Sequence, residues 1–114
     1  MDLSELKNRV NTWKKDNNNI VFTNGCFDLL HQGHIDLLKY ASSIGDRLII
    51  GINSDESVSN LKGLDRPIES EMIRINNILE LGLISAITVF NEETPIDIIK
   101  AIKPNFLVKG GDYS

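Results

Sequence analysis

Ile20-Val21-Phe22-Thr23-Asn24-Gly25-Cys26-Phe27-Asp28-Leu29-Leu30-His31-Gln32-Gly33-His34 is the stretch on which the fold turns. Its first four residues are apolar or β-branched and read as a short buried strand. Asn24-Gly25 is a turn signal. From about Gly33 the spacing changes: Ile35, Leu37, Leu38 and Ala41 fall on one helical face, and Gly45 closes the segment. A strand that runs through a glycine-containing loop into a helix is the opening unit of an α/β fold.

The pattern repeats downstream. Arg47 to Ile52 is a nearly continuous apolar strand, as expected in a parallel sheet covered on both faces. Asn53-Ser54-Asp55 can cap a short helix. Lys62 to Pro67 reads as a loop, and Ser70 to Leu81 as a helix with Gly82 as its stop. Ile87 to Phe90 is a third strand. Thr94-Pro95 opens a helix, with Pro95 in its first turn, and Lys103-Pro104 ends it. Phe106 to Val108 is a fourth strand. Upstream, Leu3, Leu6, Val10 and Trp13 form an amphipathic stripe on a helix from about Leu3 to Lys15, suited to the core or a dimer surface. The chain of 114 residues is therefore expected to be one domain: residues 1–19 a helix and connection, residues 20–114 a Rossmann-like core with a parallel sheet and helices on both faces.

Composition narrows the partners. Lys and Arg number 12 against 16 Asp and Glu, a formal charge of −4, which argues against a nucleic-acid binder. Cys26 is the single cysteine, so no intramolecular disulfide forms. The first residues lack a signal-peptide pattern, and no apolar run approaches the roughly 20 residues of a membrane span. A cytoplasmic location without membrane contact is the expectation.

In such a sheet, ligands bind beyond the carboxyl ends of the strands, where strand order reverses. The Asn24–His34 loop lies there. His31 and His34 are the two histidines of the chain, and their spacing puts both rings on one side of a helical turn. With Gly33 between them, at a helix N-terminus that favours anions, they suit a phosphate and charge developing on it. The competing reading is a pair of polar surface histidines. A zinc site drawing on Asp28 or Cys26 is the other functional reading, and it lacks further ligands to complete a set.

Gly25-Cys26-Phe27-Asp28-Leu29-Leu30-His31-Gln32-Gly33-His34 resembles the H-x-G-H signature of the cytidylyltransferase-like nucleotidylyltransferases. Gly45 to Asp55, Leu61-Lys62-Gly63, Arg66-Pro67-Ile68, Glu93-Thr94-Pro95 and Val108-Lys109-Gly110-Gly111-Asp112-Tyr113 extend the likeness. Within the family these blocks are most similar to the adenylyltransferases that activate D-glycero-β-D-manno-heptose 1-phosphate, often fused to a sugar kinase.

The resemblance implies AMP transfer from ATP, accompanied by Mg2+, to a sugar 1-phosphate, in a homodimer. It implies phosphate and transition-state contacts for His31 and His34, with Lys62 neutralising charge. Cys26, Phe27, Gly33, Lys109 and Asp112 would line the nucleotide site, and Arg66 and Arg74 would meet the second substrate. An alternative partner for Arg74 is Glu71 or Glu80, and Asp28 reads better as a loop cap than as a magnesium ligand. No residue is expected to ligate a metal directly, and Cys26 has no nucleophilic role. A cytidylyltransferase acting on glycerol 3-phosphate or ethanolamine phosphate, and a non-catalytic nucleotide-binding module, are the alternatives. Relatives continue into a further strand and a Ser/Thr-rich helix start that nothing here matches, so the C-terminal part of the family fold is expected to be missing.

Overall fold

The computed structural model describes residues 2–109. The elements run α1 (Leu3–Lys15), β1 (Ile20–Gly25), α2 (Gln32–Ser43), β2 (Arg47–Asn53), α3 (Asp55–Lys62), α4 (Glu71–Leu79), β3 (Ala86–Phe90), α5 (Ile96–Ile102) and β4 (Phe106–Val108). All strand pairs are parallel, in the order β3-β2-β1-β4. The sheet grows outward from β1 to β2 to β3, then the chain crosses back to place β4 on the other side of β1. A right-handed connection in each direction puts the intervening helices on opposite faces.

The packing follows from this and from the two-residue period of a strand. Ile20, Phe22 and Ile49 point to a face covered by Leu6 and Val10 of α1 and by Ile98 and Ile102 of α5. Val21, Leu48, Ile50 and Ile52 point the other way, against Leu38 and Ala41 of α2 and Ile78 of α4. Trp13 packs at the border of the first cluster, with the Arg47 guanidinium 5.1 Å from its ring centroid. Gly51 leaves room for an aromatic ring: a Cβ there would lie 2.8 Å from Phe22 Cζ. The expected Rossmann-like architecture, with helices on both faces, is the observed one.

Details differ from the sequence reading. Lys62 belongs to the last turn of α3 rather than to the following loop. Ser54 caps α3 through its side chain, and Asp55 and Glu56 sit in its first turn, where acidic groups favour a helix. Pro95 occupies the cap position of α5, one residue before its first turn. The helix expected over Ser70 to Leu81 is shorter: Ser70 is its cap, it runs to Leu79, and Gly82 follows with φ +70°. Among the described residues, no helix is long and apolar enough to cross a membrane.

Candidate active site

The reversal of strand order falls between β1 and β4, which pair in parallel through Val21–Phe106, Phe22–Leu107 and Thr23–Val108. The buried Thr23 hydroxyl donates to the Val108 carbonyl at 2.7 Å and ties the two strands together. The loop leaving β1 therefore emerges at the switch point, where an α/β sheet offers its crevice.

At the start of α2 the histidines cap the helix and one another. His31 is the N-cap residue, and its Nδ1 accepts from the Gly33 N–H at 3.0 Å. His34 Nδ1 accepts from the His31 N–H at 3.3 Å, completing a capping box built from two imidazoles. The rings stack with centroids 3.8 Å apart at 20°. Each Nδ1 is an acceptor, so each neutral ring carries its proton on Nε2. Helix capping thus selects the tautomer in which Nε2 is a donor. His31 is exposed and His34 is buried. The Phe27 ring meets His34 edge-on at 5.4 Å.

Gly33 has a steric role in this arrangement. A Cβ at that position would lie 2.9 Å from His31 Cε1 and 3.1 Å from His31 Nδ1. Only a residue without a side chain lets the imidazole fold back onto the helix start.

The loop before the histidines is strained and held from outside. Phe27 and Leu29 adopt φ +52° and +60°, a left-handed conformation that costs a bulky residue about 1–3 kcal/mol. Asp28, between them and 6% exposed, takes three hydrogen bonds from the segment after α3. Its Oδ2 accepts from Arg66 Nε and the Ile68 N–H, each at 2.8 Å, and its Oδ1 from the Glu69 N–H at 2.9 Å. Burial pushes this carboxyl up, but the Glu69 and Ile68 N–H groups and Arg66 outweigh it and hold it below the usual carboxylate range. Asp28 is the loop cap that the sequence suggested. The Leu29 N–H donates to Glu69 Oε1 at 3.0 Å, adding a second strap.

Arg74, expected at the substrate, is completely buried. Its Nε donates to the Glu69 carbonyl at 3.1 Å, and Nη1 to the carbonyls of Cys26 at 2.8 Å and Asn53 at 2.7 Å. Its Nη2 reaches Asp55 Oδ1 at 2.7 Å, so its ionic partner is Asp55 rather than Glu71 or Glu80. Cys26 is half-buried and donates from Sγ to Asn53 Oδ1 at 3.6 Å. Burial pushes its thiol up, against the opposing pull of the Lys62 and Arg74 charges. A raised thiol suits a lining residue and not a nucleophile.

The structure thus sets Cys26, Phe27 and His31 of the β1–α2 loop beside Gly33 and His34 in the first turn of α2, with Arg66 holding the loop through Asp28 and Arg74 through the Cys26 carbonyl. Lys62 is exposed at the end of α3, near enough for its charge to act on the Cys26 thiol. Lys109 is exposed, one residue past β4. Asp112 lies outside the described residues. Among the described residues, no group of three or more His, Cys, Asp and Glu side chains is arranged to hold a metal ion. Both Asp28 oxygens already accept from N–H groups.

Glu69, Asn53 and Asp55 are members of this network that sequence reasoning missed. Asn53 and Asp55 carried only a helix-capping signal, and Glu69 carried none.

Residues 22–114 match the cytidylyltransferase-like family. The chain is 50% identical over 111 residues to bifunctional protein HldE of Koribacter versatilis, covering 97% of this chain and 23% of that protein. It is 50% identical over 108 residues to bifunctional protein HldE of Helicobacter pylori, covering 95% of this chain and 23% of that one. The chain therefore spans less than a quarter of the length of these relatives. The crystal structure of the lipopolysaccharide core biosynthesis protein from Thermoplasma volcanium superposes with a TM-score of 0.70 at 29% identity, over 79% of this chain and 72% of that one. With the family match covering the strand, the histidine loop and the rest of the sheet, this chain belongs to the cytidylyltransferase-like family of nucleotidyltransferases.

Proposed function

We propose that the protein transfers AMP from ATP to D-glycero-β-D-manno-heptose 1-phosphate, yielding ADP-heptose and pyrophosphate for bacterial surface polysaccharide. A phosphate oxygen of the sugar forms a bond to the α-phosphorus of ATP. The bond from that phosphorus to the α,β-bridging oxygen breaks, and its electron pair leaves with pyrophosphate. Mg2+ enters with ATP, on the phosphate oxygens, as part of the substrate.

The observation that carries the reading is the stacked His31–His34 pair at the mouth of α2, with Nε2 the donor of each neutral ring. Such donors, fixed before the substrate arrives, stabilise charge that builds on the phosphate in the transition state. Lys62 and Lys109 would add positive charge as the triphosphate enters, and Arg66 would face the sugar phosphate. Gly33 would allow the close approach of phosphate to backbone. Cys26, Phe27 and Asp112 would line the nucleotide. Catalysis is then positioning and charge neutralisation, with no covalent enzyme intermediate.

The heptose assignment rests on the likeness of the Lys62-Gly63, Arg66-Pro67 and Lys109–Tyr113 blocks. It is supported by the bifunctional HldE relatives and by the lipopolysaccharide protein of similar fold. A cytoplasmic homodimer is the form we propose. The family match itself supports a second reading, a cytidylyltransferase acting on glycerol 3-phosphate or ethanolamine phosphate.

Pyrophosphate release, measured with ATP or CTP against each acceptor, separates them. Release with ATP and the heptose phosphate alone is the expected result. Release with CTP and glycerol 3-phosphate or ethanolamine phosphate would replace the substrate assignment. Nucleotide binding without product under any pairing would mark a non-catalytic binding module.

A further inference from the structure

We infer that Arg74 is a positioning residue that sets the geometry of the histidine loop from inside the core. The inference rests on the reading of that loop as the phosphate site.

The guanidinium is fully buried and joins four segments through four acceptors: the Cys26 carbonyl of the loop, the Asn53 carbonyl ending β2, Asp55 opening α3, and the Glu69 carbonyl before α4. Two of these contacts lead to the histidines. On the loop side, the Cys26 carbonyl precedes Phe27, which turns into the left-handed region and presents its ring to His34. On the opposite side, the carbonyl of Glu69 is held while its N–H grips Asp28 and its carboxylate grips the Leu29 N–H and Asn77. Arg74 therefore fixes both jaws of the clasp that closes over the strained stretch Phe27–Leu29.

The chemistry requires arginine. A planar fork can address several acceptors in fixed directions at once, whereas a lysine ammonium is a single point charge on a flexible stem. The guanidinium has no exposed face to offer a substrate, so its effect on turnover passes through the loop.

The test uses the fact that the chain has only two histidines, so their ring nitrogens give two resolvable sets of long-range proton–nitrogen correlations. These spectra read the tautomer without substrate. In the wild type both rings should show the Nε2–H form. In Arg74→Lys, at a temperature where far-ultraviolet dichroism shows a folded protein, we expect tautomer averaging at both rings. We also expect a fall in kcat of at least tenfold, with KM for ATP changed less than threefold. Asp55→Ala serves as a second variant. It removes the half-exposed partner of Nη2 and leaves the buried contacts, and a smaller shift of the same signals is expected.

Wild-type histidine spectra in both folded variants would overturn the inference. If Arg74→Lys does not fold, unchanged spectra in Asp55→Ala overturn it alone. Absence of pyrophosphate release from the wild type would instead count against the proposed reaction, while the spectra still decide the role of Arg74.

Discussion

Replacing Gly33 by alanine should separate the chemistry of the histidine loop from its stability. The added Cβ would sit 2.9 Å from His31 Cε1, where carbon atoms prefer about 3.5–4.0 Å. His31 is exposed, so its ring can swing away by roughly 0.6–1 Å without disturbing the core. That movement breaks the 3.0 Å bond from the Gly33 N–H and the 3.8 Å stack on His34. The lost cap costs about 0.5–2 kcal/mol, and alanine in place of glycine inside a helix returns about 1 kcal/mol. Stability should stay within about 1 kcal/mol of wild type. Turnover should not, because a catalytic donor displaced by about 1 Å loses roughly 100-fold in rate. Thermal unfolding and steady-state pyrophosphate release on the same preparation check both halves. A folded Gly33→Ala protein with kcat within about threefold of wild type would refute the argument that His31 acts from its folded-back position.

Further expectations concern the neighbouring residues. His34→Ala removes a buried ring, its contact with Phe27 and half of the capping box, and should cost about 1–2 kcal/mol in denaturant unfolding together with a 100- to 1000-fold loss of kcat. Asp28 has a carboxyl held below its ordinary 3.8. Its contribution to stability is therefore fully present above that value and is lost as pH falls through the lower folded-state value. Wild type should lose an increment of stability in acid below about pH 4, and Asp28→Asn should lack that increment when unfolding is followed against pH. The half-buried Cys26 thiol, pushed up by its surroundings, should react with iodoacetamide at pH 7 more slowly than a free thiol, and Cys26→Ser should keep kcat within about fivefold. Gly45→Ala places a Cβ on Val21 Cγ2 and 3.1 Å from the Asn19 carbonyl; a loss of about 1–3 kcal/mol is expected, with KM unchanged.

The periodic elements were legible because their pattern has one physical meaning. Ile20 to Phe22 and Leu48 to Ile52 are nearly continuous apolar runs, as expected of strands covered on both faces, and both strands are central in the sheet. The histidine pair stood out as a candidate site because its spacing, its glycine and its place after a strand agree, and the structure brings the two rings into a stack. What could not be read was the set of contacts that arises only when distant loops meet. Arg74 looks like any surface arginine of an amphipathic helix until three carbonyls from 5, 21 and 48 residues away converge on it. Asp28 and Glu69 are 41 residues apart, and neither carries a local pattern that names the other. Lys62 reads as the start of a loop that runs to Pro67, yet α3 holds it in its last turn, where a cation suits the helix end. Backbone carbonyls have no sequence signature, so a residue that works by binding them is invisible until the fold is known.

The most direct measurement follows oxygen. Heptose 1-phosphate labelled with 18O in its phosphate is incubated with ATP, Mg2+ and the protein, and both products are analysed by mass spectrometry. Attack of the sugar phosphate on the α-phosphorus predicts label in ADP-heptose and none in pyrophosphate, with formation of both slowed about 100- to 1000-fold in His34→Ala. Labelled nucleotide sugar formed at the wild-type rate by His34→Ala, or no nucleotide sugar from the wild type, would contradict nucleotidyl transfer at the histidine loop.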